Sequence, residues 1–351
     1  MVTTGIVRDL RYLQHITSEY HPENHHRLEV IYQMLDDEDM IGKYVDVPPR
    51  FATKEEIGLI HTSEYISRVA ATADKSHVML DPDTQTSPKS YDAARLAVGG
   101  VLECIDGIMS GDIDNGVALV RPPGHHAESD RGMGFCLFNN VAVGARYARE
   151  RYSLERILIV DWDLHHGNGT QNAFYNDSDV LYFSTHQFPH YPGTGSFDET
   201  GAFQGEGFTI NVPLSGGQGN EEFAQIFSRI LKPVCLQYKP QFILVSAGFD
   251  TYSKDPLGAM KITPDGFARL ARILLEICEL TCQGKLVFVL EGGYHLEGLK
   301  NSVKAVLKEC MGESLLLKNE IGQKESESPF ITSVINRVVS SHKDFWTFAT
   351  V

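Results

Sequence analysis

Short runs of consecutive apolar residues recur along the chain, separated by longer segments that mix apolar and polar residues. The clearest run covers residues 157–160, where three of the four residues are β-branched. Unbroken apolar runs are typical of strands covered on both faces, as in a parallel sheet. Strands are therefore predicted at residues 4–8, 116–120, 157–160, 180–185, 208–214, 242–246 and 286–290.

The segments between these runs carry apolar residues at helical spacing. They predict helices at residues 28–35, 91–111, 139–151, 220–238, 263–282, 299–311 and 331–345, and the fourth contains Pro233, which permits a kink. Residues 82–88 and 313–329 are polar and are predicted as loops, the first at the mouth of a site. Alternating strands and helices indicate an α/β fold with a mostly parallel sheet and helices on both faces. Because no linker divides the chain, we expect one domain over residues 1–351.

Composition narrows the functional classes. With 351 residues and 42% hydrophobic residues, the chain is able to bury a large core. The net charge of −15 repels a phosphate backbone, so no nucleic-acid partner is expected, whereas cationic substrates are compatible with it. The six cysteines form no CxxC pair, which favours reduced thiols and a cytoplasmic protein. No segment is long and apolar enough to span a bilayer, so no membrane association is expected.

Residues 157–170 concentrate candidate chemistry, since the apolar run passes directly into Asp161, Asp163, His165 and His166. The carboxyl ends of parallel strands are where α/β proteins place their sites. Asp163 and His165 are able to bind one metal ion, because carboxylate and imidazole groups are common zinc ligands. The simpler alternative is a helix cap followed by solvated histidines. The whole D-x-D-x-H-H-G pattern favours a metal.

Polar residues also follow three other predicted strands. They are His125 with His126, Asp250, and Tyr294. In a parallel sheet these ends lie along one edge and converge on one cleft. Asp163, His165 and Asp250 would then provide three ligands with a fourth position open, which is the plan of a catalytic zinc site. Iron(II) or cobalt would also suit this ligand set.

A second histidine pair, His25 and His26, has no strand before it and is predicted at the surface or at a helix cap. Arg27 follows this pair. Two interpretations of Arg27 remain open: a solvated charge, or a buried arginine that ties the first loop to the site.

Six segments in order, RPPGHH, GFCLFNN, DWDLHHGNGTQ, PGTG, SAGFD followed by DPLG, and EGGY, closely resemble the zinc-dependent histone deacetylase family. The variant resembles the class II and bacterial deacetylase-like members. The resemblance implies the arginase–deacetylase α/β fold, with a central eight-stranded, mostly parallel sheet. It also implies a hydrolase that removes acetyl or other acyl groups from lysine side chains of peptides or proteins.

The resemblance assigns roles to individual residues. Asp163, His165 and Asp250 would bind one catalytic Zn²⁺, and Asp161, Ser184 and Thr185 would contribute to a structural K⁺ site together with backbone carbonyls. His125 and His126 would handle protons, with Asp161 behind His125 and Asn168 behind His126, where class I members carry Asp. Tyr294 would stabilise the oxyanion. Because Asn168 brings no charge, we expect His126 to stay neutral and act as the base.

The substrate channel is implied in the same way. Phe135 and Tyr191 match the two aromatic walls, although Phe is usual at the second position in class II enzymes. Gly134 and Gly293 allow close backbone approach. Leu257 matches a mouth position that is Glu in polyamine-specific members, so acyl-lysine is the predicted substrate and acetylpolyamines or other small acylamines are the alternative.

Two other functional classes remain as alternatives. One is a binding protein for acylated ligands without turnover, which would need neither the histidine pair nor Tyr294. The other is a binuclear manganese hydrolase on the same fold, for which the HHGNG turn supplies no obvious extra ligands. An oligomeric state is possible, but the sequence does not specify one.

Overall fold

The computed structural model describes residues 2–314 and 328–348. The strands in this part of the chain are β1 (Thr4–Val7), β2 (Val45–Asp46), β3 (Val78–Asp81), β4 (Thr84–Thr86), β5 (Asn115–Ala118), β6 (Ile157–Asp161), β7 (Val180–Gln187), β8 (Thr209–Leu214), β9 (Phe242–Ala247) and β10 (Leu286–Leu290). The helices are α1 (His26–Leu35), α2 (Lys54–Ile57), α3 (Ser63–Ala70), α4 (Ser90–Ser110), α5 (Asn140–Tyr152), α6 (Asn168–Phe174), α7 (Asn220–Ile226), α8 (Lys232–Tyr238), α9 (Pro264–Cys282), α10 (Leu296–Cys310) and α11 (Pro329–His342).

Eight strands form one sheet in the order β2-β1-β5-β10-β9-β6-β7-β8. Every neighbouring pair in this sheet is parallel. The predicted parallel α/β sheet is therefore confirmed. The two-residue strand β2 at its edge was not predicted, because two exposed residues carry no apolar pattern.

Helices cover both faces of the sheet, as adjacent residues of β5 illustrate. A Cβ on Gly116 would lie 3.0 Å from the sulfur of Cys104 in α4. The next residue, Val117, lines a small apolar space with Val303 and Val306 of α10. Since successive strand residues point to opposite faces, α4 and α10 lie on opposite sides of the sheet.

Strand β6 lies between β7 and β9, with Ile157 opposite both Val180 and Phe242. All five of its residues are buried. This is the environment that its apolar run predicted, and it brings Asp161 to the carboxyl end of a central strand.

Residues 82–88 were predicted as a loop, and this prediction was wrong in part. They contain β4, which pairs antiparallel with β3 in a separate two-stranded hairpin. The segment is too short and polar for its sequence to indicate a strand, and the pairing depends on the register with residues 78–81.

The helix predicted at 220–238 contains a π-helical segment at Phe227–Leu231 between α7 and α8. Pro233 is the second residue of α8, which follows the π-helical segment directly. Helix α10 begins before the predicted residue 299, because the His295 side chain accepts a hydrogen bond from the N–H of Gly298 and caps it. Most of the predicted loop at 313–329 lies outside the described residues, and Pro329 begins α11.

Among the helices that are described, none combines the length and the apolar character needed to cross a membrane.

Candidate active site

Four adjacent strands deliver the candidate residues to one edge of the sheet. Strands β5, β10, β9 and β6 are neighbours, and the chain that leaves each of them carries polar residues. The structure brings together the residues predicted there, namely His125, His126, Asp161, Asp163, His165, Asp250 and Tyr294.

Asp163, His165 and Asp250 form the centre of the cluster, and their ligand atoms all lie within 4.8 Å of one another. His165 Nδ1 is 3.1 Å from Asp163 Oδ1 and 3.1 Å from Asp250 Oδ2. Burial, reinforced by the neighbouring charge of Asp163, raises the pKa of Asp250 to about 7. A divalent cation would relieve this repulsion between buried carboxylates, so the donor set fits zinc.

Backbone groups hold these ligands in place. Leu164 N donates to Asp250 Oδ1 at 2.8 Å, and Gly292 N donates to Asp163 Oδ2 at 2.9 Å. A Cβ on Gly248 would lie 2.0 Å from Asp163 Oδ2. Only glycine leaves room for the carboxylate at this position, so the close backbone approach shapes the ligand cluster.

The two histidines of the pair 125–126 have different partners. His125 Nδ1 lies 3.0 Å from Asp161 Oδ2, and its Nε2 lies 3.8 Å from Asp163 Oδ1. Burial alone would lower the pKa of His125, but the Asp163 and Asp161 carboxylates outweigh it and raise that pKa to about 10. A cation on Asp163 would weaken one of these two contributions and leave that of Asp161.

His126 Nδ1 instead lies 2.8 Å from the amide oxygen of Asn168. Its ring centre is 4.0 Å from that of His125. Burial first, and then the charges of His125 and His165, hold the pKa of His126 well below its ordinary value. One histidine of the pair is therefore suited to the charged form and the other to the neutral form.

Tyr294 lies beside the cluster, and its ring centre is 6.0 Å from that of Phe135. The guanidinium of Arg27 covers the ring at 5.0 Å. Burial and the nearby Asp250 carboxylate raise the pKa of Tyr294 well above its ordinary value, so the hydroxyl keeps its proton. A protonated phenol is a hydrogen-bond donor.

Arg27 is buried, which supports the second interpretation given to it. Its Nε donates to the carbonyl of Gly293 at 2.7 Å, and its Nη2 donates to the carbonyl of Glu291. The buried carboxylate of Glu23 pairs with both Arg27 and Arg121. The first loop of the chain is thus tied to the loop that carries Tyr294.

Several residues that contribute to this geometry were missed by sequence reasoning. Glu291 Oε2 accepts hydrogen bonds from Gly124 N at 2.6 Å and from His125 N at 3.2 Å. His190 stacks on His165 with ring centres 5.2 Å apart and contacts the carbonyl of Leu257 at 3.0 Å. Glu291 belongs to the EGGY segment, but the sequence does not show where its carboxylate points.

The residues that the resemblance assigns to potassium lie on the neighbouring strands β6 and β7. Asp161 is opposite Ser184 in the β6–β7 register, and both are buried. Thr185 follows, and its buried hydroxyl has no hydrogen-bond partner among the described residues. A buried carboxylate beside hydroxyl and carbonyl oxygens provides the donors that a hard cation prefers.

Two of the residues predicted for a substrate channel, Phe135 and Tyr191, lie near the cluster. Tyr191 is 36% exposed, and its ring centre lies 5.2 Å from that of His126. The β3–β4 hairpin holds the backbone of Phe135, since Asp83 Oδ1 accepts a hydrogen bond from Gly134 N and Thr84 Oγ1 accepts one from Phe135 N, both at 3.0 Å. The hairpin therefore fixes the Gly134–Phe135 segment, and the placing of residues 82–88 at the mouth of a site stays a prediction.

The remaining predicted channel residues lie on neighbouring loops. Leu257 is partly exposed, and Gly293 has a positive φ of 118° in the loop before Tyr294. His25 and His26 lie at the surface, with side chains 32% and 57% exposed, where they contact Glu29.

Comparison with known proteins agrees with this architecture. The model of the histone deacetylase domain matches residues 21–310. The chain is 41% identical over 299 residues to a probable deacetylase of Archaeoglobus fulgidus, covering 85% of this chain and 83% of the relative. It is 42% identical over 278 residues to the mouse polyamine deacetylase HDAC10, covering 75% of this chain and 40% of the relative.

The chain is also similar to a plant relative and to a solved structure. Histone deacetylase 15 of Arabidopsis thaliana is 38% identical over 353 residues, which cover 98% of this chain and 63% of the relative. The crystal structure of an HDA15 HD domain superposes with a TM-score of 0.91 at 37% identity, covering 98% of this chain and 95% of that domain. This similarity confirms the predicted arginase–deacetylase fold. The chain belongs to the histone deacetylase family.

Proposed function

We propose that the chain, as a single domain over residues 1–351, is a zinc-dependent deacetylase that removes acetyl or other acyl groups from lysine side chains of peptides or proteins. The observation that carries this proposal is the buried Asp163–His165–Asp250 cluster, with two histidines of opposite protonation preference beside it. A protein that only binds acylated ligands has no need of such a histidine pair.

Zinc bound by Asp163, His165 and Asp250 would supply a Lewis acid that polarises the amide oxygen and makes a water molecule more acidic. His126, held neutral by its surroundings, accepts the proton of the attacking water. His125, held charged by Asp161, donates a proton to the leaving amine. Tyr294 keeps its proton and donates a hydrogen bond to the developing oxyanion.

The channel lining supports acyl-lysine as the substrate. Phe135 and Tyr191 offer aromatic surface to the aliphatic stem of a lysine, and Leu257 adds an apolar group at the mouth. The second candidate is an acetylpolyamine or another small acylamine. The named activity of the mouse relative and the net charge of −15, which attracts any cation, favour that alternative.

Two further assignments belong to the same proposal. A potassium ion would be bound at Asp161, Ser184 and Thr185 with backbone carbonyls. The six cysteines are all buried and unpaired, which supports a reducing compartment such as the cytoplasm.

The test is a turnover panel with the zinc-loaded protein. Acetyl-lysine peptides, trifluoroacetyl-lysine, longer acyl-lysines and acetylated polyamines are compared by kcat/KM. We expect the peptides to be cleaved, and we expect His126→Ala to abolish most of the turnover because the base is lost. Saturable binding of these compounds without release of any acid would identify a binding protein instead.

A further inference from the structure

Asn168 lies between His126 and a second acidic side chain, that of Glu128. Its amide oxygen Oδ1 is 2.8 Å from His126 Nδ1, and its amide nitrogen Nδ2 is 2.8 Å from Glu128 Oε1. Asn168 is 3% exposed and sits at the start of α6. The three side chains thus form a continuous line of contacts that ends at His126.

An amide has one accepting end and one donating end, whereas a carboxylate only accepts. The end of Asn168 that faces Glu128 must therefore be its NH₂ group, because an oxygen there would meet another oxygen. The oxygen Oδ1 is left to face His126, so Nδ1 of that ring must carry the proton. In a neutral imidazole the other nitrogen, Nε2, then holds the lone pair that accepts a proton.

Glu128 is itself fixed in place. Its Oε2 accepts from Arg131 Nε at 3.1 Å, and its backbone N–H donates to the Arg131 carbonyl at 2.9 Å. Asn172 donates a further hydrogen bond of 3.1 Å to Oε1. The Glu128 side chain is only 17% exposed. An ionised, partly buried carboxylate makes a stronger hydrogen bond to an amide than a neutral acceptor does.

We propose that Glu128 is a positioning residue for the deacetylase reaction proposed above: through Asn168 it selects the tautomer of His126 whose Nε2 accepts a proton. An aspartate at position 168 would need no such orientation, since both of its oxygens accept. The Asn168–Glu128 pair therefore acts as one unit, in which a neutral amide does the orienting work of a carboxylate without bringing a second charge to His126.

The test is a double-mutant cycle that measures kcat/KM at matched zinc content. Glu128→Ala lets the amide of Asn168 rotate, and kcat/KM should fall by about 10-fold or more, the effect of one charge-assisted hydrogen bond. Glu128→Gln keeps an accepting oxygen, so it should lose only a few-fold. In the Asn168→Asp background, Glu128→Gln should have the opposite effect on kcat/KM. It removes the repulsion between two carboxylates, so the double variant should have a higher kcat/KM than Asn168→Asp alone.

Asn172→Ala is the matched control: it removes the other amide from the same Glu128 oxygen but keeps the hydrogen bond between Glu128 and Asn168, so kcat/KM should fall far less than in Glu128→Ala. A purely structural role for Glu128 would instead lower activity and melting temperature in both backgrounds, and that result would overturn the proposal.

The tautomer is also measurable without turnover, by ¹⁵N NMR of histidine-labelled protein with the His126 signal identified from a His126→Gln sample. We expect Nδ1 to carry the proton in the wild type and Nε2 to gain it in Glu128→Ala. An unchanged tautomer would refute the positioning role. If the wild type cleaves no substrate, the proposed function fails, and this measurement still decides the role of Glu128.

Discussion

Asp255 holds Tyr294 through its backbone: Oδ2 of the carboxylate accepts a 2.7 Å hydrogen bond from the N–H of Tyr294. The same oxygen accepts from His295 N at 3.1 Å, and Oδ1 accepts from Leu257 N at 3.0 Å. Asp255 is 6% exposed. One buried carboxylate therefore connects the loop of the proposed oxyanion donor with the loop that carries the mouth residue.

We predict that Asp255→Ala lowers kcat by about 10-fold or more, because the Tyr294 hydroxyl loses its fixed position and small misplacements of a reacting group are costly. Asp255→Asn retains one accepting oxygen and should lose less. Steady-state kinetics with melting temperatures recorded for both variants provide the measurement. An unchanged kcat in Asp255→Ala would show that other contacts suffice to position Tyr294.

The hydroxyl of Tyr294 should act mainly in the transition state. Tyr294→Phe is expected to lower kcat by about 10²–10³, the effect of removing one oxyanion donor. Ground-state binding should change little, and calorimetric titration with an uncleaved substrate analogue measures it. A variant with near-normal kcat would assign this residue to packing alone.

The metal prediction is one zinc ion per chain at Asp163, His165 and Asp250. Activity should disappear on treatment with a chelator and return with zinc, and Asp250→Asn should bind zinc more weakly while the large core keeps the protein folded. Elemental analysis gives the stoichiometry. Glu29→Gln changes the surface group His25–His26–Glu29 and serves as the control, because the zinc content should stay at one ion per chain. Full activity in metal-free protein contradicts the prediction.

Substrate preference should depend on Leu257. An apolar side chain at the mouth does not select a distant ammonium group, so acetyl-lysine peptides should exceed acetylspermidine and acetylputrescine in kcat/KM. Leu257→Glu should move this ratio toward the polyamines, and Leu257→Gln controls for the polar change without the charge. A wild-type preference for polyamines would refute the argument from this position.

His61 should make the fold sensitive to mild acid. Its ring accepts the N–H of Asn139 and contacts the Glu128 carbonyl, both at 2.9 Å, and burial lowers its pKa to about 4. The unfolded chain takes up a proton near pH 6.5 and the folded chain only near pH 4, so stability is full above pH 6.5 and declines as the pH falls between these values. Proton uptake by this one group should lower the free energy of unfolding by about 2 kcal/mol between pH 6.5 and pH 5.

Urea unfolding at a series of pH values measures this decline in the free energy of unfolding. The variant His61→Gln does not titrate in this range, so its stability should fall less steeply over the same interval. Parallel slopes for the two proteins would assign the acid sensitivity to other groups.

Much of the fold was readable from local pattern. The apolar run at 157–160 predicted a buried strand because a strand covered on both faces needs consecutive apolar residues, and β6 is buried throughout. The positions of the site residues follow from the same pattern, because the polar residues begin where each apolar run, and therefore each strand, ends. The sequence pattern therefore assigns His125, Asp163, Asp250 and Tyr294 to one edge of the sheet.

The supports of the site depended on tertiary structure. Glu291 bonds Gly124 from 167 residues away along the chain, and Arg27 bonds Gly293 from 266 residues away. The β3–β4 hairpin, a predicted loop, reaches Gly134 across 51 residues. Hydrophobic periodicity reports which face of an element is buried, but it contains no information about which distant donor a carboxylate meets. The sequence alone therefore determined the strands and the chemistry at their ends, whereas long-range packing decided which groups orient that chemistry.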